Sequence, residues 1–313
     1  MTKIILRKLT EVLAFAVLGF GIVVSYAGCK TDPGASEKPD TPLPATDGPD
    51  ENFHIYLCFG QSNMEGYNGA YVKDETGNPI QEEDRGSVDS RFRVLAAVDM
   101  PAINREKERW YRATPPLCRG DSGLCPADYF GRTMVANLPK EIKVGVINVS
   151  IGGCKIEAFD PVNCEAYLAT TEDWLQKTAA LYGNNPYNRL VELAKIAQED
   201  GVIKGILMHQ GESNAGDSSW PQKVKGVYDN LVRDLDLDES IPLLAGQLVN
   251  GGTTGMNGII LNLPQTIPSA RVIRTDGLGT QVDNLHFNPE GYRELGRRYA
   301  SEMLSILDYS LSE

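Results

Sequence analysis

The sequence predicts an α/β fold in which helices cover both faces of a central parallel sheet, and three observations point there. Short apolar runs rich in β-branched residues recur at Ile55–Phe59, Val144–Val149, Val202–Met208, Ile241–Val249 and Ala270–Arg274, as in strands buried on both faces. Between them, Tyr129–Leu138, Tyr187–Gln198, Trp220–Leu237 and Pro289–Leu307 place apolar residues at three- and four-residue intervals, so each buries one helical face. The chain has 313 residues, 42% of them hydrophobic, enough for one substantial core. Alternating strands and helices favour parallel pairing, and in such sheets reactive residues collect in loops beyond the carboxyl ends of the strands. Ser62, Gly153, Gln210 and Asp283 all follow candidate strands in this way.

At the N-terminus, Lys3, Arg7 and Lys8 precede the apolar stretch Val12–Val24, and small residues lead to Ala27-Gly28-Cys29. This order reads as an export signal ending at a cysteine. It resembles a bacterial lipoprotein signal, although Tyr26 stands where leucine is more usual. The resemblance implies that residues 1–29 are a signal peptide, that Cys29 is acylated, and that the domain is held at a membrane, periplasmic or at the cell surface. A retained signal-anchor helix is the alternative, for which the run is slightly short. Residues 30–51, dominated by Pro, Asp, Thr, Ser and Gly, read as a flexible linker, which leaves 52–313 as the folded domain.

Six cysteines suit an oxidising address. Cys118 with Cys125, and Cys154 with Cys164, bracket short loops and are expected as two disulfides, while Cys58 reads as a small buried hydrophobe. Zinc is the competing use, but no Cys-x-x-Cys pair or His-Glu-x-x-His helix is present, so no metal or other cofactor is expected. The stretch Gly66–Pro126, crowded with Gly, Pro and charge and broken only by Phe92–Val98, reads as an elaborated insertion beside the site. A net charge of -12 argues against a nucleic-acid partner and suits a neutral or cationic substrate better.

The chemistry begins at Ser62, in Gly60-Gln61-Ser62-Asn63-Met64, directly after the first strand run. Gly60 permits a tight turn that points the serine outward. The Gly-x-Ser-x-Gly elbow of α/β-hydrolases is absent. With three histidines in the chain, the base is reached by elimination. His54 opens the first strand, away from these loops, and His209 ends a strand beside Gln210 and Glu212 as an orienting or packing residue. His286 follows Asp283 by three residues, and Asn288-Pro289 is a helix start that pins its loop. A carboxylate, an imidazole and a serine hydroxyl make a nucleophile at neutral pH. Oxyanion donors are expected from the Ser150–Cys154 loop, with its Gly152-Gly153 pair, and from His209–Asn214, where Gln210 and Asn214 carry amides.

These blocks resemble, in order and setting, the SGNH-hydrolase superfamily, and within it the sialate O-acetylesterase-like and acetyl xylan esterase domains. The match runs from Ile55 to about Leu307 and includes Trp110–Leu117, similar to that branch's Trp and Pro-Leu segment. The resemblance implies a three-layer α/β/α sandwich of flavodoxin-like type and metal-free hydrolysis of O-acetyl esters on carbohydrate. It implies Ser62 as nucleophile, His286 as base and Asp283 as supporting acid, with the N–H groups of Ser62 and Gly153 and the Gln210 side chain as the oxyanion hole. Gln210 stands where the wider superfamily has asparagine, which leaves Asn214 as a rival donor, and Glu212 as an acid that could share the role of Asp283. A glycan-binding lipoprotein on the same scaffold is the reading from another class, and a lipase or thioesterase with a wide apolar groove is the other enzymatic one. Trp110, Tyr111 and Trp220 lie near these blocks and could stack on a sugar, with packing as the plainer explanation.

Overall fold

The computed structural model describes residues 40–44, 47–66, 84, 88–249 and 255–311. The leader and Cys29 lie outside them. In chain order the elements are β1 (Asp50–Gly60), α1 (Ser62–Glu65), β2 (Phe92–Leu95), β3 (Trp110–Arg112), α2 (Pro126–Asn137), β4 (Lys143–Ser150), α3 (Cys164–Leu168), α4 (Asp173–Ala180), α5 (Pro186–Gln198), β5 (Gly201–His209), α6 (Trp220–Asp234), β6 (Leu243–Gly246), α7 (Met256–Leu261), β7 (Ala270–Ile273) and α8 (Pro289–Ile306). The strands lie side by side as β3-β2-β4-β1-β5-β6-β7, and every adjacent pair is parallel except β2 with β3.

The central strand explains why the apolar runs have no polar face. In β1, Ile55, Leu57 and Phe59 enter one core with Leu190 of α5 and Trp220 and Leu231 of α6, while Tyr56 and Cys58 enter a second with Phe130 of α2 and Tyr292 and Tyr299 of α8. Successive side chains of one strand therefore serve opposite layers, which makes the three-layer sandwich. Burying each such large side chain stabilises the fold by roughly 1.5–3 kcal/mol. At the start of α8, Asn288 Oδ1 accepts the Gly291 N–H at 2.8 Å with Pro289 in the first turn, the cap expected from sequence.

Strand register positions the site. Gly60, the last residue of β1, pairs with Ser150 at the end of β4 and with His209 at the end of β5. The loops after these three strands therefore leave the sheet side by side, on either side of the strand where the order reverses. A Cβ at Gly60 would lie 2.1 Å from the His209 carbonyl oxygen, so only glycine allows this approach.

Four expectations change. The sheet is mixed, because the stretch read as an irregular insertion supplies β2 and the antiparallel edge strand β3; strands of four and three residues take their hydrogen bonds from neighbours and show little local pattern. The helices α3, α4 and α7 were not expected. Part of the segment read as a linker is bound to the domain: the Leu43 N–H donates to Trp110 O at 2.8 Å, and Asp40 pairs with the buried Arg105. The two disulfides are not formed, and Cys58, Cys118, Cys125, Cys154 and Cys164 are free thiols. Loop length alone cannot set the geometry a disulfide needs. Instead Cys118 Sγ lies 3.3 Å from the Tyr182 hydroxyl, and Cys154 Sγ donates to Gly60 O at 3.7 Å. Burial pushes the Cys118 thiol up to about 11, so it is unreactive.

Candidate active site

Ser62 opens the short helix α1 immediately beyond β1 and faces the loop that follows β7. There Asn284 adopts a left-handed conformation, φ 51°, which folds the loop back on itself. Asp283 Oδ1 accepts the N–H groups of Leu285 at 2.9 Å and His286 at 3.0 Å, and its Oδ2 lies 2.7 Å from His286 Nδ1. With the imidazole proton held on Nδ1, Nε2 is left to accept from the Ser62 hydroxyl, 2.9 Å away. Partial burial alone would raise the Asp283 carboxyl, but the hydrogen bonds from the His286 ring and from the Leu285 and His286 backbone outweigh it and hold the group below the usual carboxylate range. The sequence-predicted serine, histidine and aspartate thus come together, from positions more than two hundred residues apart.

Asn63, quoted in the sequence motif without a role, holds this arrangement from beneath. Its Nδ2 donates to Glu212 Oε1 at 2.8 Å and to Leu285 O at 3.0 Å, and its Oδ1 accepts from the Phe287 N–H at 3.3 Å and the Tyr292 hydroxyl at 2.8 Å. Every hydrogen-bonding position of a fully buried amide is filled, so the loop bearing His286 is tied to the residue after the serine. Glu212 is placed as the partner of Asn63, and the acid on His286 Nδ1 is Asp283. His209 is buried, with Nε2 donating to Gln247 O at 2.9 Å and Nδ1 3.7 Å from Glu212; burial lowers its pKa and keeps it neutral. His54 is buried in β1, and its pKa falls to about 4 through burial and the charge of Lys204. Both match the packing roles read from sequence.

The expected oxyanion donors divide. Gly152 and Gly153 line the pocket beside Ser62, and Gly153 stands at φ 70°. Among the described residues the N–H groups of Ser62 and Gly153 have no acceptor. Gln210 differs from its expectation: its amide is buried and turned inward, with Nε2 donating to Asn214 Oδ1 at 2.7 Å, Gln61 Oε1 at 3.2 Å and Cys154 O at 3.3 Å, and Oε1 accepting from Trp220 Nε1 at 2.5 Å. Asn214, the rival, donates instead to Glu157 Oε2 at 3.0 Å. Neither lines the pocket. The aromatics Trp110, Tyr111 and Trp220 are likewise buried.

The pocket over Ser62 and His286 has a volume of about 470 Å³, and Glu65, Arg119, Asp121 and Trp174 complete its polar and apolar walls. Trp174, on α4, was missed. Its only sequence signal is a lone aromatic in the polar run Thr171-Glu172-Asp173. Among the described residues no three His, Cys, Asp or Glu side chains form a group that could hold a metal ion. A serine, an imidazole and a carboxylate in one line, beside unpaired N–H donors, suit acyl transfer.

The sequence model described as carbohydrate esterase, sialic acid-specific acetylesterase, matches residues 52–305. A probable carbohydrate esterase of Arabidopsis thaliana is 25% identical over 286 residues, covering 87% of this chain and 98% of the relative. Among solved structures, that of an Arabidopsis thaliana protein superposes with a TM-score of 0.59 at 23% identity over 80% of this chain and 98% of the other. A carbohydrate acetylesterase from Xanthomonas citri gives 0.56 at 19% identity, over 80% of this chain and 56% of the other. NanS gives 0.56 at 15% identity, over 83% of this chain and 99% of the other. These superpositions show a common fold.

Proposed function

The chain belongs to the carbohydrate esterase family of sialic acid-specific acetylesterases, and from that membership we propose that it removes O-acetyl groups from carbohydrate through an acyl-enzyme on Ser62. Ser62 Oγ attacks the acetyl carbonyl while His286 Nε2 takes its proton, and Asp283 steadies the resulting imidazolium. The N–H groups of Ser62 and Gly153 receive the developing oxyanion. Collapse expels the sugar oxygen, which takes the proton from His286; water then repeats the sequence and releases acetate. The observation carrying this reading is the unbroken contact from Ser62 Oγ through His286, 2.9 Å and 2.7 Å, to Asp283.

Ser62→Ala is expected to lower acetate release from acetylated xylan and p-nitrophenyl acetate by at least about ten-thousandfold, with the melting temperature unchanged. Turnover retained in the folded variant would assign the chemistry to another nucleophile. The glycan-binding alternative predicts sugar retention without acetate release in the unaltered protein. Glu65, Arg119 and Asp121 in the pocket wall disfavour a long acyl chain, against the lipase alternative.

The same reading puts the enzyme in an export compartment, anchored through acylated Cys29; the order of basic, apolar and small residues before that cysteine supports it. Cys29→Ser should move the protein out of the membrane fraction. Persistence there would favour a retained signal-anchor.

A further inference from the structure

We propose that this pocket selects a neutral acetylated pyranose stacked on Trp174 and discriminates against sugars that carry a carboxylate, an inference that rests on the esterase reading above. Sialic acids and uronides need a cation to receive their carboxylate, and the guanidinium's planar fork is the usual receiver. Among the described residues Arg119 is the one cation lining the pocket. Its three directions are already taken: Nη2 donates to Glu65, Nε to Asp121 Oδ1 at 3.1 Å, and Nη1 to Ser150 O at 3.1 Å. The Arg119 side chain is 6% exposed while that of Asp121 is 74% exposed, so an incoming sugar meets the acid and not the guanidinium. The remaining N–H groups sit on this buried side chain, so reaching a substrate carboxylate would draw Arg119 away from Glu65 or Asp121. Releasing Glu65 would strand a mostly buried carboxylate, a strongly unfavourable exchange.

Charge in the rest of the wall points the same way. Among the described residues Glu65, Asp121 and Glu212 face a single cation, and the pocket lies within a Debye length, about 8 Å at physiological salt, of all of them. Trp174 supplies the attraction. The residue is 55% exposed although it borders the pocket, and a Cβ on Gly153 would stand 2.7 Å from the indole ring. The ring therefore rests on a residue whose N–H is unpaired beside Ser62, a position that only glycine leaves open. An indole this exposed offers a flat apolar face to the C–H surface of a pyranose while one ring oxygen substituent reaches the serine.

The experiment compares kcat/KM for acetate release from acetylated xylo-oligosaccharides, from 9-O-acetyl-N-acetylneuraminic acid, from an O-acetylated galacturonide and from ethyl acetate, at low ionic strength. The neutral oligosaccharide should exceed both anionic sugars by at least about tenfold, and the gap should narrow in high salt. Trp174→Ala should raise KM for the neutral oligosaccharide about tenfold with a smaller change in kcat, and Trp174→Phe should recover most of the loss. Equal or faster turnover of either anionic sugar, or an unchanged KM in a Trp174→Ala protein of unaltered melting temperature, would overturn the specificity while leaving the esterase reading intact. No acetate from any sugar, with ethyl acetate still hydrolysed, would overturn both.

Discussion

His209, the last residue of β5, and Glu212 stand three residues apart, Asp283 and His286 stand three residues apart beyond β7, and the two segments meet at the Asn63 amide. Each pairs an imidazole with a carboxylate, and their chemistry is opposite. In the first loop both partners are turned into the protein: His209 gives its Nε2 proton to the Gln247 carbonyl, Glu212 holds Asn63, and the two side chains remain 3.7 Å apart. In the second, the acid and imidazole contact each other at 2.7 Å and leave one ring nitrogen for the serine. Both histidines commit one ring N–H and keep a second nitrogen as an acceptor: His286 Nε2 faces Ser62, whereas His209 Nδ1 is buried beside Glu212 with no hydrogen-bond partner. What the second ring nitrogen faces, more than residue type, separates a positioning pair from a reactive one.

Conservative substitutions in the two loops test this contrast. His286→Asn should reduce kcat/KM for acetate release by about ten-thousandfold, and Asp283→Asn by a thousandfold to about ten-thousandfold, because the amide stabilises the wrong tautomer. Neither should change the melting temperature by more than a few degrees. His209→Asn and Glu212→Gln should act the other way round, with losses of activity below about a hundredfold and a lower melting temperature, since each disturbs a buried hydrogen-bonded group worth roughly 1–3 kcal/mol. A His209 or Glu212 variant that matches the His286 loss while remaining as stable as the parent would erase the distinction.

What the sequence made legible follows from the same physics. The strands β1, β4, β5, β6 and β7 announce themselves because both faces are buried, and a doubly buried strand must be apolar throughout. Asp283 and His286 were readable because they are close in sequence and precede a capped helix, so local rules already hold them together. Trp174 was not readable, because an aromatic at the surface and one in the core look alike until the pocket is built. The edge strand β3 is three residues long and exists through its pairing with β2. The cysteine pairs had suitable spacing, but each thiol found its own oxygen, hydroxyl or amide partner within the packed interior.

Gln210 gives the finest test of the contrast, because resemblance made it an oxyanion donor while its hydrogen bonds make it a buried strut. Its amide joins Gln61, Cys154, Asn214 and Trp220, and Gln61 Oε1 in turn accepts the N–H groups of Gly211 and Ser213 at 3.3 Å each. This network sets where Ser62, the neighbour of Gln61, leaves the sheet, without Gln210 touching the substrate. A true oxyanion donor would cost about a hundredfold to a thousandfold in kcat when removed. Gln210→Leu, similar in volume but unable to bond, should instead lose less than about tenfold in kcat, because the N–H groups of Ser62 and Gly153 remain. Its effect should fall on stability: the buried Trp220 indole N–H loses its partner, at roughly 1–3 kcal/mol for an unsatisfied group, while the Asn214 side-chain oxygen keeps the Ile156 N–H at 2.8 Å. Thermal unfolding and initial rates on p-nitrophenyl acetate, measured on the same preparation, separate the two. A hundredfold loss of kcat at an unchanged melting temperature would return Gln210 to the oxyanion hole and show that its amide reorients when substrate binds.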